Sequence, residues 1–130
     1  MNTVLSLSGY EIARAFVSVS GAHINAIGAF TPQMQEIPGE TVVRARVFVD
    51  QRDAALAEAG DLIVPAEAGR FDPTRLTEIG AVINSEAEGR QSSDQITLFK
   101  SVGNAVQDIA TAVRALHIAE ERGLGTTVTL

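Results

Sequence analysis

The sequence contains no cysteine, so there is no disulfide framework, no thiolate metal site and no cysteine nucleophile. Stapled extracellular scaffolds and zinc ribbons are thereby excluded. Positive charge is also scarce. Ten Lys and Arg face 16 Asp and Glu, for a net charge of −6, and no basic stripe can offset repulsion from a phosphate backbone; nucleic acid is not an expected partner. The start, Met1 to Ser8, lacks the basic region of a signal peptide, and Glu11 and Arg14 interrupt the apolar stretch. The uncharged run from Ala15 to Gln35 is broken by Ser18, Ser20, His23, Asn25, Thr31 and Pro32, polar groups and turns that hydrocarbon penalises, so no membrane span or membrane partner is expected. Reducing cytoplasm is the expected location. Missing too are a G-x-G-x-x-G turn, a P-loop, an H-E-x-x-H helix, a G-x-S-x-G elbow and an EF-hand loop. No internal repeat or low-complexity tract is visible.

What is present is the composition of a packed globule: 45% hydrophobic and 20% charged residues over 130 positions, enough for one domain or a piece of one. From Gly21 onward, strands and helices alternate, which predicts an α/β parallel sheet with covering helices. His23 to Gly28 alternates polar and apolar residues as a strand meeting a glycine loop, Ala29 to Gln35. Pro38 and Gly39 punctuate a helical turn through Val42 and Val43. Val47-Phe48-Val49-Asp50 reads as a strand buried on both faces, with the aspartate at its carboxyl end. Asp53 to Ala59 is built of strong helix formers, with Gly60 as a left-handed cap. Asp72-Pro73 predicts a helix over Arg75 to Ile79, followed by a strand over Ala81 to Asn84. Glu86 to Gln95 is a polar loop, and Ile96 to Lys100 is a strand. From Gly103, the apolar positions Val106, Ile109, Val113 and Leu116 recur at helical spacing to Arg122, with Gly123 as the stop. The tail from Thr126 to Leu130 has strand character.

Few side chains carry chemistry. His23 and His117 lack a third nitrogen or a close carboxylate, so no metal site is expected. His117 reads as the rim of a helix-packing face, whereas His23 is balanced between structure and ligand contact. Asp50 is better explained as a cap of the next turn than as a ligand to substrate or ribose. Glu120 and Glu121 beside Arg122 form a solvated helix end.

Taken in order, Gly21-Ala22-His23-Ile24-Asn25-Ala26-Ile27-Gly28, Val47-Phe48-Val49-Asp50, Ala55 to Asp61 and Ser93 to Gly103 resemble the ornithine cyclodeaminase and mu-crystallin family. Asn104 to Asp108 and Glu121 to Gly125 fit the same family, and the likeness runs from Gly21 to Leu130. The resemblance implies three parts. Residues 1–20 are a non-family segment, 21–102 a partial Rossmann-type NAD(P)-binding region, and 103–130 a helix and tail that return to the substrate and dimerisation domain in longer relatives. It also implies NAD or NADP as cofactor, with only the ring side of the site present.

Ile27, Gly28, Ala29 and Phe30 match the family loop that passes the nicotinamide, Ser101 matches a cofactor-contacting serine, and Val102 matches a substrate-side position. Equally open readings have Gly28 only turning the chain and Ser101 only capping the helix near Gly103. Phe30 occupies the place of the aspartate that handles protons in cyclodeaminases proper, so no catalytic residue is assigned. That substitution implies an imine-reducing or amino-acid-dehydrogenating branch, of ketimine reductase or alanine dehydrogenase type. The phosphate-binding glycines and the substrate-gripping lysine and arginine belong to the family's other half. The implied state is a truncated member, inactive alone, with weak or no NAD binding and with a second copy or a complementing N-terminal fragment as partner. A non-catalytic association module and a small-ligand-binding remnant are the alternatives.

Overall fold

Short β-branched runs separated by alanine-rich segments set the architecture of the computed structural model, which describes the strand Val4–Ser6 by its backbone, together with residues 19–126 and 128. Among the described residues five strands form one all-parallel sheet: β1 (Val4–Ser6), β2 (His23–Ala26), β3 (Arg46–Val49), β4 (Thr77–Glu78) and β5 (Thr97–Lys100), in the order β1-β2-β5-β3-β4. Among the described residues the helices are α1 (Gly39–Arg44), α2 (Arg52–Glu58), α3 (Gly60–Glu67), α4 (Ile79–Ile83) and α5 (Ala105–Arg122). The Rossmann-type parallel sheet with covering helices and a long C-terminal helix is therefore present. β1, in the segment set apart from the family, extends the sheet beside β2.

The register sorts side chains between two faces, because successive strand residues alternate. Ile24, Leu98 and Val47 form one row and Ala26, Lys100 and Val49 another. Apart from Lys100, these side chains join the core with Ile37, Val42, Ala55, Ala59, Leu62 and Leu76. On the opposite face, Phe48 is also buried, so β3 is covered on both sides as its continuous apolar run predicts. His23 lies on that face, its ring between Thr97 Oγ1 at 2.8 Å and Asn25 Oδ1 at 3.2 Å, a link between strands. Arg90 ties the polar loop to the sheet by donating to Gly21 O, Ala22 O and Thr97 Oγ1.

Lys100 falls in a core-facing row and is fully buried. A buried ammonium needs partners. It lies 2.9 Å from Glu36 Oε1 and 3.0 Å from Asp61 Oδ2. Asp61, also fully buried, accepts the backbone amides of Glu36 at 2.8 Å and Ile37 at 2.9 Å on Oδ1. Burial pushes the Asp61 carboxyl above the usual carboxylate range, against the lowering pull of the Ile37 amide and the Lys100 charge.

Several local expectations are corrected. Gly60 is not a left-handed cap: α2 ends at Ala59 with φ −86°, and Gly60 opens α3. Its value is steric, since a Cβ there would stand 2.4 Å from Met34 O and 2.6 Å from Pro32 O. α3 itself is masked in the sequence by glycine at its first position and Pro65 in its last turn, both breaker signals. Asp72 does cap, accepting the Thr74 amide, but it starts only a single 3₁₀ turn, Pro73–Arg75. Thr77–Glu78 then pairs as β4, and the strand expected over Ala81 to Asn84 is the end of α4. The apolar run of α4 is too short for periodicity to separate strand from helix. α5 matches expectation, with Asn104 accepting the Val106 amide and Gly123 at φ +63° as the stop. The strand character of the tail lies almost entirely outside the described residues.

Three variants test these contacts through stability. Gly60→Ala should lose about 1–3 kcal/mol in urea unfolding, although alanine is the better helix former by about 1 kcal/mol, because the atoms in the way are backbone. Lys100→Met should lose about 3–5 kcal/mol by stranding two carboxylates. Asp61→Asn keeps an acceptor for both amides and removes a burdened charge, so it should cost less. Asp61 binds its proton more tightly folded than unfolded, so its linked contribution is most favourable at acid pH and is lost as pH rises through its raised pKa. The gap between D61N and wild type should therefore narrow as pH rises. Loss of under 1 kcal/mol for K100M would contradict the pairing.

Candidate functional site

In a parallel sheet the carboxyl ends of adjacent strands open onto one crevice, bordered by the loops that leave them. Here β2, β5 and β3 are consecutive in space. Their ends deliver Ile27 to Phe30, Ser101 to Gly103, and Asp50 to a common edge. Residues far apart in sequence are joined there: Ser101 Oγ donates to Asp50 Oδ2 at 2.6 Å, and the Ser101 amide donates to Ala26 O at 3.1 Å.

Ser101 does not cap α5, a role Asn104 fills; its hydroxyl oxygen instead accepts the Gly103 amide at 3.1 Å. With its proton given to Asp50 and one lone pair to Gly103, the hydroxyl keeps one acceptor site. Asp50 does more than turn the chain. Its Oδ1 accepts the Gln51 amide at 2.9 Å while Oδ2 holds Ser101, and no side chain caps α2.

The loop after β2 is held from beneath. Glu36 Oε1 accepts the amides of Gly28 at 2.7 Å and Ala29 at 3.1 Å, and the same oxygen is gripped by Lys100. A Cβ at position 28 would stand 2.7 Å from Glu36 Oε2. Gly28 thus admits the carboxylate as well as turning the chain. Ala29 is buried, whereas Ile27 is 62% and Phe30 57% exposed, giving the crevice two large apolar side chains beside a fixed backbone. Val102 is partly buried against the core.

The sequence reading missed Glu36, Asp61 and Lys100. One signal was available: Lys100 is the only lysine in the chain, and it closes an apolar strand, where a cation requires buried partners. Which acids serve could not be read from spacing, since they lie 64 and 39 positions away in sequence. His117 is exposed, and α5 has no buried residue, so the face His117 was expected to rim is uncovered among the described residues. No group of His, Asp and Glu suited to a metal ion occurs among the described residues, and no helix there is long and apolar enough to cross a membrane.

Comparison with known proteins agrees with this architecture. A profile of the ornithine cyclodeaminase/mu-crystallin family matches residues 13–122, starting inside the segment before Gly21. Delta(1)-pyrroline-2-carboxylate reductase of Bacillus cereus is 46% identical over 110 residues, which are 83% of this chain and 34% of that protein. The structure of the Thermococcus litoralis Delta(1)-pyrroline-2-carboxylate reductase, in complex with NADH and L-proline, superposes with a TM-score of 0.76 at 37% identity, over 84% of this chain and 34% of the other. An archaeal alanine dehydrogenase dimer with bound NAD gives a TM-score of 0.72 at 33% identity, over 85% and 35%. The chain spans about a third of the length of the relatives it matches. With the profile covering residues 13–122 and the structures superposing, the chain belongs to the ornithine cyclodeaminase/mu-crystallin family.

Proposed function

We propose that these 130 residues form the nicotinamide-ring side of an NAD(P)-dependent imine reductase of the Delta(1)-pyrroline-2-carboxylate type, working in reducing cytoplasm and incomplete as a catalyst alone. The observation that carries this is the crevice at the carboxyl edge. A fixed Gly28–Ala29 backbone, the exposed apolar side chains of Ile27 and Phe30, and the Ser101 hydroxyl suit a flat ring with a carboxamide. When bound, the cofactor supplies the hydride. Ile27 to Phe30 orient the ring and exclude water from its face, and Val102 stands on the substrate side.

Phe30 favours imine reduction over cyclodeamination. A phenyl ring neither accepts nor donates a proton, so proton delivery must come from a residue outside this segment. The relatives named as pyrroline-2-carboxylate reductases support that reading. The 130 residues carry no G-x-G-x-x-G sequence to receive a diphosphate at a helix start, so the grip on the cofactor is one-sided. Calorimetric titration of the isolated chain with NADH or NADPH should give a Kd weaker than about 1 mM. Adding the complementary N-terminal part of a relative should tighten it at least tenfold. Micromolar binding by the isolated chain would overturn this reading.

The observation favouring an association role is α5. Val106, Ile109, Val113 and Leu116 share one helical face and are 49–68% exposed, and no α5 residue is buried. Such a stripe binds a second copy or the complementing domain. Light scattering after size exclusion should report at least twice the chain mass for the isolated protein, falling to a single chain in Ile109→Glu/Val113→Glu. A monomeric wild type would remove the association reading and leave the ring-side assignment untouched.

A further inference from the structure

At the opposite end of the sheet, where β3 and β5 begin, Arg44, Arg46 and Arg75 converge on one cavity of about 290 Å³, completed by Val47, Gln91 and Gln95. No carboxylate lines it. This is unusual in a chain with a net charge of −6. Among the described residues the ion pairs within 4.0 Å belong to Lys100, so no described carboxylate forms a salt bridge with the three guanidinium groups. Neighbouring acids are engaged elsewhere: the Glu88 carboxylate accepts the Gln91 side-chain amide, and Asp72, which feels the Arg75 charge, accepts both the amide and the hydroxyl of Thr74.

The centre of this cluster is already organised. Arg46 donates from Nη2 to Glu88 O at 2.6 Å, and its guanidinium stands 5.6 Å from the Phe48 ring centroid. Its Nε is buried with no hydrogen-bond partner. Arg75 is oriented by a long contact from Nη1 to Val43 O at 3.5 Å, and Arg44 occupies the last turn of α1. Three positive forks around one small space repel one another until an anion enters. Guanidinium forks match the paired oxygens of phosphates and carboxylates, and the two glutamine amides add neutral donors.

We propose that this cavity is a binding site for a small polyvalent oxyanion, separate from the strand-end crevice that faces the nicotinamide. The ligand carries at least two negative charges on neighbouring oxygens, as in a diphosphate or a polycarboxylate. The site stands on the arginine cluster alone and does not depend on the reductase reading.

The test is a titration of the isotopically labelled chain, following the Arg Nε–Hε resonances, with inorganic pyrophosphate and with citrate, each against sodium chloride at equal ionic strength. A saturable shift of the Arg46 Nε–Hε signal with either anion, absent with chloride, is the expected result. Tighter binding of pyrophosphate assigns a phosphoryl ligand, and tighter binding of citrate a carboxylate ligand. Arg44→Gln and Arg75→Gln should each weaken binding at least tenfold. Because both side chains are exposed, the unfolding temperature without anion should not fall, and Arg44→Lys should recover part of the affinity. Shifts that never saturate, that chloride reproduces, or that survive both glutamine variants would overturn the proposal.

Discussion

One buried ammonium group organises the carboxyl edge of this sheet. Lys100 emerges from a row otherwise made of Ala26 and Val49 and meets two carboxylates. Glu36 is one, and the oxygen it gives to Lys100 also collects the Gly28 and Ala29 amides. Asp61 is the other, and it collects the amides of Glu36 and Ile37. Four backbone donors from the connection after β2 are thus satisfied by two side chains that a single cation holds in place. Charge pairs of this kind are costly to desolvate, and hydrophobic residues often replace them without loss of stability. Their service here is directional: they give an irregular loop a defined path where helical or sheet hydrogen bonds cannot.

In the proposed ring-side role that path bears on function, because a flat ligand is oriented by a fixed surface and a few convergent polar groups. The loop carrying Ile27 to Phe30 is rigid from below and apolar above, and the Asp50–Ser101 link ties the neighbouring strand end to β3. The crevice is therefore preorganised on strand ends, which hold geometry better than free loops. Its chemistry is limited by the same residues, since none of the side chains from 27 to 30 titrates. In the proposed reading the chain offers orientation and exclusion of water, over the third of its relatives' length that it spans.

Much of this was legible in advance. The alternation of β-branched runs with alanine-rich stretches identifies β2, β3 and β5, and the spacing of Val106, Ile109, Val113 and Leu116, with Gly123 after Arg122, identifies α5. The failures cluster where glycine and proline have tertiary reasons to be present. Gly60 looks like a stop, yet it is needed because the carbonyls of Pro32 and Met34 pass where a Cβ would stand. Pro65 looks like a breaker, yet it sits inside α3. Ile79–Ile83 is as short as a strand and just as apolar, so periodicity does not separate the two.

By itself the sequence determined the class of fold, the family, the long amphipathic helix and the absence of a phosphate-cradling turn, because each is written in local spacing or in several motifs kept in order. Only the tertiary structure decided that Lys100 serves Glu36 and Asp61, that Ser101 is bonded to Asp50, and that Arg44, Arg46 and Arg75 surround one space. Each of these depends on which strand lies beside which. Strand order is set by the burial of whole faces against helices, a cooperative outcome that no short stretch of residues encodes.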